Sequence, residues 1–214
     1  MLKPQIPVAK EGYPFIAYAA FITLTLALLG QSFLTGISFI CTTFILCFFR
    51  DPERFIPQND NEIVSPADGK IILIENVTDD RFTNGEALKV SIFMNVFNVH
   101  VNRVPFNGIV EKIIYTPGKF YSADSKNAEL ENEFCATVLT TDAGKKLAYV
   151  QIAGLIARRI VCWHEQGDKA IRGRRFGLIR FGSRVDLFLP PETNLIVEHG
   201  QKVSAGETTI GYLE

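Results

Sequence analysis

The chain begins with long apolar runs that contain no charged side chain. No charge occurs from Gly12 to Phe49, and two apolar runs, residues 14–29 and 33–49, are separated by the tripeptide Gly30-Gln31-Ser32. The runs contain 16 and 17 residues, which is close to the lower limit of about 17–25 residues for a membrane-spanning helix. The pattern therefore predicts an apolar helical hairpin with a tight turn near Gly30.

Positive charges flank this hairpin at both ends. Lys3 and Lys10 precede it, Arg50 and Arg54 follow it, and the turn is uncharged. The positive-inside rule then puts both ends in the cytoplasm. A signal peptide is the rival interpretation, but no small-x-small cleavage site follows the first run. We expect residues 1–50 to anchor the chain to the cell membrane, with the remainder on the cytoplasmic side. A re-entrant hairpin and a buried helix pair in a soluble protein are the alternatives.

After the hairpin, short segments rich in Val, Ile, Phe, Tyr and Thr alternate with turns rich in Gly, Pro, Asn and Asp, which is typical of β-strands. The segments are residues 71–77, 88–94, 108–115, 136–141, 146–154, 158–163, 176–182, 185–190 and 208–213. Their regular spacing predicts a mostly β, barrel-sandwich-like domain over residues 51–214. Glycine-containing turns at residues 65–70 and 199–206 are typical of such modules.

Composition narrows the classes of protein that fit. The 214 residues include 22 Lys and Arg against 23 Asp and Glu, a net charge of −1, so the chain lacks the basic excess of a nucleic-acid-binding protein. A hydrophobic share of 47% excludes a wholly disordered chain. The four cysteines have no CxxC or metal-ligand spacing, so we expect free thiols and no bound metal.

Three places outside the apolar runs carry residues suited to chemistry. Asp68 lies in a Pro-x-Asp-Gly stretch, where a turn is its ordinary role. His100 lies in an apolar run that asparagines interrupt, and a buried polar group there must find a partner; a satisfied core histidine is the alternative to a catalyst. The dipeptide Gly182-Ser183 lies between two predicted strands, where a hairpin turn is the structural alternative. It is not the Gly-x-Ser-x-Gly elbow of hydrolases.

A Gly-Ser bond also permits self-cleavage. Because glycine has no side chain, the Ser183 hydroxyl can approach the Gly182 carbonyl and convert the amide into an ester. Elimination of that ester leaves a dehydroalanine, which hydrolyses to a pyruvoyl group and ammonia. The attack requires a base near Ser183 and a partner that orients the base. His100 and Asp68 are chemically suited to these roles, although their spacing does not show that they are adjacent.

Four motifs carry a resemblance to a known family. They are FFRDPER (48–54), SPADGK (65–70), FNVHVNRVPFNG (97–108) and RFGSRVD (180–186). In this order, and with an apolar hairpin at the N-terminus, they resemble the short bacterial and archaeal branch of phosphatidylserine decarboxylase. The resemblance covers nearly the whole chain. It implies a self-cleaving proenzyme, cut between Gly182 and Ser183 into a β chain, residues 1–182, and an α chain, residues 183–214.

The resemblance also implies the reaction and its site. Phosphatidylserine would be decarboxylated to phosphatidylethanolamine, a step of phospholipid biosynthesis, through a pyruvoyl cofactor derived from Ser183 that acts as an electron sink. The catalytic residues would be Ser183, His100 and Asp68, with His100 moving protons and Asp68 fixing its tautomer. Arg103 and Arg184 stand where longer members of the family have a histidine and a threonine. Either arginine is a candidate for binding the lipid phosphate.

The sequence leaves several alternatives open. It does not distinguish phosphatidylserine from an archaeal-type lipid or another lipid with a serine headgroup, because the surface that binds the lipid tails cannot be identified from the sequence. A non-enzymatic, membrane-tethered barrel-sandwich adaptor is an alternative of another class, and the missing elbow disfavours a serine hydrolase. Chain integrity separates these classes, because only the decarboxylase cuts itself. The expected partners are a phospholipid substrate, the membrane and the two processed chains, while a homo-oligomer and the acyl-chain preference stay open.

Overall fold

The computed structural model of the chain describes residues 7–122, 131–154, 159–180 and 183–213. The chain separates into two compact units, Met1–Glu53 and Arg54–Glu214. This division lies close to the predicted boundary after residue 50. The first unit is helical and the second is mostly β, and all four cysteines are free thiols.

Two apolar helices form the N-terminal unit. A short 3-10 turn at Lys10–Gly12 leads into α1, Tyr13–Leu28, and α2 spans Ser32–Phe48. Gly30 lies between them in the left-handed conformation, with φ of +72°. Because glycine adopts this conformation at little cost, the tight turn predicted near this residue is present.

The helical unit exposes many large apolar side chains. Tyr18 and Phe33, for example, are 75% and 79% exposed. The two helices are joined by a polar contact, in which the Thr23 Oγ1 atom lies 2.7 Å from the Ser38 Oγ atom. Such contacts support helix pairing in lipid, where apolar side chains gain little by associating. The stretch Lys10–Leu28 is long and apolar enough to cross a membrane, judged by length and composition.

The described part of the second unit contains fourteen strands. They are β1 (Glu62–Val64), β2 (Gly69–Asp79), β3 (Gly85–Met94), β4 (Val101–Arg103), β5 (Gly108–Thr116), β6 (Phe134–Thr140), β7 (Lys146–Ala153), β8 (Ile160–Cys162), β9 (Lys169–Ala170), β10 (Arg175–Ile179), β11 (Ser183–Leu189), β12 (Asn194–Leu195), β13 (Lys202–Val203) and β14 (Thr209–Tyr212). Eight of them form an antiparallel, curled half-barrel sheet in the order β13-β2-β3-β11-β7-β6-β5-β9. The predicted mostly β class is therefore confirmed.

Both faces of the large sheet carry apolar side chains, because successive residues of a strand point to opposite faces. In the central strand β11, Val185 and Leu187 belong to the main core. Phe188 belongs to a smaller cluster with Phe82 and Val150. The central strands are thus buried on both sides, and this explains the nearly continuous apolar runs in the sequence.

Two small sheets, β1-β14-β12 and β4-β10-β8, complete the unit. Each of the nine predicted segments contains an observed strand, but β1, β4, β9, β12 and β13 were not predicted. These five strands have only two or three residues, which is too short for a period of two to be visible. Strand β13 pairs with β2 through Lys202 and Lys70, so the two glycine-containing turns named above lead into neighbouring strands.

Candidate active site

Several strand ends meet at one edge of the eight-stranded sheet. Ser183, the first residue of β11, is paired with Met94, the last residue of β3, and with Ala153, the last residue of β7. Strand β2 begins at Gly69, beside the end of β3. Because neighbouring strands are antiparallel, the start of one lies next to the end of the next. Asp68, directly before β2, therefore lies at the same edge as Ser183.

The Ser183 side chain is fully buried. Its hydroxyl donates to the Met94 Sδ atom over 3.2 Å, and a thioether is a weak acceptor. Gly182, the other half of the predicted cleavage bond, lies outside the described residues. The strand that leads toward this bond is tied to His100, because the Ile179 amide donates to the His100 carbonyl oxygen over 3.3 Å.

The His100 ring is 2% exposed, and a tight turn fixes its tautomer. Its Nδ1 atom lies 2.9 Å from the Asn98 carbonyl oxygen, so Nδ1 carries the hydrogen and Nε2 is the basic nitrogen of the neutral ring. The Asn98 side chain accepts from the Asn95 amide over 2.9 Å, and the Asn98 amide donates to the Asn95 carbonyl over 3.0 Å. These asparagines, which interrupt the apolar run in the sequence, therefore form the turn that orients His100.

The Asp68 carboxylate is held by two donors. The Nη2 atom of Arg54 lies 3.0 Å and 2.8 Å from its two oxygens, and the Ala205 amide donates to one of them over 2.8 Å. The Nη1 atom of Arg54 donates to Glu207 over 2.8 Å. The last residue of the FFRDPER motif thus bridges the SPADGK loop and the C-terminal turn.

The group that lies at the His100 Nδ1 atom is not the one that was predicted. Asp68 was expected to fix the tautomer of His100, but the Asn98 carbonyl oxygen is the group at Nδ1. The loops that carry Asp68 and His100 are nevertheless neighbours, because the Arg103 amide donates to the Pro66 carbonyl over 2.9 Å. The catalytic assignment of Asp68 stays a prediction.

Glu207 has a perturbed carboxyl group beside the Asp68 loop. Burial raises its pKa, but hydrogen bonds from the Arg54 side chain and the Phe55 amide lower it more, so the pKa lies below the ordinary value of 4.5. The side chain is therefore ionised at neutral pH. Glu207 and Asp68 together give the Arg54 guanidinium two anionic partners.

Neither arginine that was predicted to bind phosphate presents a guanidinium to solvent. Arg103 is 4% exposed, and its Nη1 atom donates to the Gly173 carbonyl over 2.8 Å. Arg184 donates through Nε and Nη2 to both oxygens of Asp186, over 2.6 Å each. Strand alternation directs Arg184 to the face opposite Ser183. These contacts do not support the two predicted phosphate contacts.

Four residues of the site have contacts that the sequence did not assign. They are Arg54, Met94, Asn102 and Gln151, which bind Asp68, Ser183 or one another. Arg54 belongs to a quoted motif, and Asn102 is a polar residue in an apolar run, so both positions carried a signal. Gln151 is the one amide side chain in the segment 146–154. Met94 carried no signal, because methionine is ordinary in a core strand.

The fold and the site define a mostly β domain, with a fully buried serine at the start of a central strand, that follows a pair of apolar helices. Comparison with known proteins specifies the family. The family model for phosphatidylserine decarboxylase matches residues 41–211. The chain is 62% identical over 213 residues to the phosphatidylserine decarboxylase proenzyme of Desulfotalea psychrophila, with 100% of each chain covered. The proteins of the same name from Citrifermentans bemidjiense and Geotalea uraniireducens are 51% and 49% identical, again with full coverage of both chains.

This chain belongs to the phosphatidylserine decarboxylase family. The resemblance inferred from the four motifs is thereby confirmed. Membership of this family implies a pyruvoyl group. The surroundings of Ser183 fit such a group, because Met94 and Ala153 pair with it and all three residues are fully buried. A small uncharged ketone suits this uncharged lining.

Proposed function

We propose that this protein decarboxylates phosphatidylserine to phosphatidylethanolamine after cutting itself between Gly182 and Ser183. The observation that carries the proposal is the burial of Ser183, the first residue of β11. The preceding strand, β10, is hydrogen-bonded to His100. Membership of the family over nearly the full chain supports it. The proposed mature enzyme consists of residues 1–182 and 183–214.

Self-cleavage begins as an attack by the chain on its own backbone. The Ser183 oxygen forms a bond to the Gly182 carbonyl carbon, its proton passes to a base, and the Gly182–Ser183 C–N bond breaks as the nitrogen takes up a proton. The product is an ester and a free amine on residue 183. Loss of the Cα proton and of the Gly182 carboxylate then gives a dehydroalanine, and water replaces its nitrogen, which leaves as ammonia.

His100 is our candidate for the base. Donation from Nδ1 to Asn98 leaves Nε2 as the basic nitrogen, and an imidazole can both accept and return a proton. Asp68 is the proposed anionic partner of this site, held in place by Arg54. Arg103 and Arg184 are not part of the proposed site, because their buried contacts lie elsewhere.

A pyruvoyl group derived from Ser183 would supply an electron sink for the loss of carbon dioxide. The residues around it would bind the substrate and exclude water. They would not neutralise the substrate carboxylate. A salt bridge to the serine carboxylate would stabilise the ground state and slow the loss of that carboxylate. The two strand partners of Ser183 among the described residues, Met94 and Ala153, carry no charge, which agrees with this requirement. His100 would return a proton to the former α-carbon.

The substrate also explains the N-terminal unit. A diacyl lipid stays in the bilayer, so an enzyme that acts on its headgroup works at the membrane surface. We propose that the apolar stretch Lys10–Leu28 anchors the chain there. The charges at Lys3, Lys10, Arg50 and Arg54 favour a cytoplasmic position for the catalytic unit.

An intact mass spectrum of the purified protein tests the proposal. The expected result is a fragment of residues 183–214 that is lighter by one ammonia than a fragment beginning with serine. Ser183→Ala should remain a single uncut chain without decarboxylase activity, because it lacks the attacking oxygen. An uncut wild-type chain would favour the adaptor, and an active Ser183→Ala variant would exclude the pyruvoyl mechanism.

His100→Ala separates the two reactions. An uncut chain is expected if His100 is the processing base, because no other proposed group accepts the Ser183 proton. Normal cleavage combined with lost turnover would confine His100 to decarboxylation. Gel analysis of the cut fraction and an assay for carbon dioxide release give the two readings.

A further inference from the structure

A continuous series of buried polar contacts leads from Ser183 into the core. The Ser183 hydroxyl and the Asn102 Nδ2 atom both donate to the Met94 Sδ atom, over 3.2 Å and 3.6 Å. The Gln151 Nε2 atom donates to the Asn102 Oδ1 atom over 2.9 Å. All four side chains are fully buried. Met94 is therefore the link between the proposed nucleophile and a pair of core amides.

Strand pairing places the Ser183, Met94 and Gln151 side chains on one face of the sheet. Ser183 and Met94 are directly paired in neighbouring strands, so their side chains emerge on the same face of the sheet. Gln151 is paired with Val185, two residues along β11, and points to that face as well. Gly177 leaves room for the amide, because a Cβ atom there would lie 3.0 Å from Gln151 Nε2 and would clash with a strand carbonyl.

Two amides in a mostly apolar core are costly. Burial of an amide disfavours the folded state unless hydrogen bonds replace those to water, and the Gln151 Oε1 atom has no such partner among the described residues. Hydrophobic side chains of similar size would pack this face at lower cost. The cost is explained if the amides serve the atom at the other end of the series, the Ser183 oxygen.

We infer that Met94 holds the Ser183 hydroxyl in the orientation for attack, and that Asn102 and Gln151 are positioning residues that fix Met94. This inference rests on the proposed function. A thioether is a weak acceptor, so it orients the hydroxyl without competing with the base for the proton. Methionine is flexible, so its sulfur needs a donor to hold it, and the Asn102 amide is that donor. The sulfur forms and breaks no covalent bond; the proton passes to the base when the oxygen attacks.

Because the chain contains few methionines, the sulfur atom of Met94 can be replaced selectively. The chain has two methionines, Met1 and Met94, so biosynthetic replacement of methionine changes one side chain within the described residues. Norleucine replaces the sulfur with a methylene group at nearly constant shape, and selenomethionine keeps an acceptor atom at that position. We expect norleucine to slow self-cleavage by about two- to tenfold, the value of one hydrogen bond, and selenomethionine to restore it.

The measurement is the time course of the 183–214 fragment in freshly synthesised full-length protein with lipid present. Ile92→Leu is the matched control, because Ile92 lies on the same face of β3, is fully buried and makes no polar side-chain contact; it should cut at the wild-type rate. If the norleucine protein cuts as fast as the methionine protein, the inference is wrong. If the wild-type chain is uncut, the proposed function itself is wrong.

A second pair of variants tests the positioning role of the amides. Asn102→Leu combined with Gln151→Leu removes both amides together, so that neither is left unpaired. Because the amides act through the sulfur, this double change should slow the methionine protein by about two- to tenfold and slow the norleucine protein no further. Additive losses would mean that the amides do not act through Met94 and would overturn that part of the inference.

Discussion

At the scale of single residues, Arg54 is the charged group that holds the Asp68 carboxylate. The Asp68 and Arg54 side chains are each 13% exposed, and their closest contact is 2.8 Å. A hydrogen bond between charged groups in such a setting contributes about 1.5–3 kcal/mol. Removal of the guanidinium would also leave Asp68 and Glu207 as two neighbouring anions without their shared partner. Arg54, the last residue of the FFRDPER motif, thus has a physical role in the second unit: it holds the Asp68 carboxylate.

Arg54→Met is expected to slow self-cleavage and to lower the free energy of unfolding by about 2 kcal/mol. Arg54→Lys should recover part of both losses, because an ammonium group supplies the charge but not the two-pronged geometry. The cut fraction over time and urea unfolding of the full chain in detergent give the two measurements.

Lys146→Met is the control for this prediction. Lys146 forms an ion pair with Glu111 over 2.7 Å, but both side chains are more than 40% exposed, and exposed pairs contribute only about 0–1 kcal/mol. The Lys146 variant should therefore behave nearly as the wild type. Equal behaviour of Arg54→Met and Lys146→Met would contradict a special role for Arg54.

The lowered pKa of Glu207 predicts an acid-sensitive contribution to stability. Because the folded-state pKa lies below the ordinary value of 4.5, the contribution is complete above that value and is lost as the pH falls through the folded-state pKa. Glu207→Gln should therefore be less stable than the wild type at about pH 7, and the difference should shrink toward about pH 3.5. Urea midpoints at both pH values measure it. A difference that does not change with pH would show that the charge of Glu207 is irrelevant.

At the scale of the elements, the long strands were predictable and the site contacts were not. A period of two or a continuous apolar run extends over seven to eleven residues in β2, β3, β6, β7 and β11, so their existence follows from local pattern. Strand β4 has three residues, and nothing local shows that it pairs with β10. Yet this pairing ties the His100 segment to the strand that leads to Ser183.

The candidate site shows the same limit. Asp68, His100 and Ser183 were identified from residue type, local motifs and the family resemblance. Contacts of Asp68 and Ser183 join distant parts of the chain: Asp68 and Ala205 are 137 positions apart, and Ser183 and Met94 are 89 positions apart. Such contacts depend on strand order and register, which a single sequence does not encode visibly. The Asn98 contact with His100 is local, and the run of asparagines was its signal.

Gly69 is the point where the SPADGK loop enters the sheet. A Cβ atom at this position would collide with the Phe93 carbonyl oxygen and lie 2.9 Å from the Ile92 side chain. Gly69→Ala should therefore separate the start of β2 from β3, at a cost of about 1–3 kcal/mol. Self-cleavage should slow as well, because Asp68 precedes the displaced residue.

Gly85→Ala is the matched control, because Gly85 begins β3 and nothing lies within 4 Å of a Cβ atom there. Its melting temperature and cut fraction should match those of the wild type. If both alanine variants behave alike, the close approach of the Phe93 backbone is not the reason that the SPADGK motif needs a glycine at position 69.

At the scale of the whole molecule, the proposed function assigns chemistry to the second unit and anchoring to the first. The main core and all proposed site residues lie within Arg54–Glu214. The helical unit exposes large apolar side chains and has no charge from Gly12 to Phe49. This division predicts that self-cleavage depends on the second unit, whereas access to a lipid in a bilayer depends on the first.

A chain that begins at Arg54 tests this division. It should still release the 183–214 fragment, because the strands, the Arg54–Asp68 contact and the Met94 series are all retained. Its turnover should fall much more on phosphatidylserine in vesicles than on a dispersed short-chain phosphatidylserine, because only the bilayer substrate requires the anchor. The informative quantity is the ratio of the two activities in the truncated and full-length proteins. An unchanged ratio would mean that the helices serve some purpose other than delivery to the membrane, and an uncut truncated chain would mean that processing itself needs them.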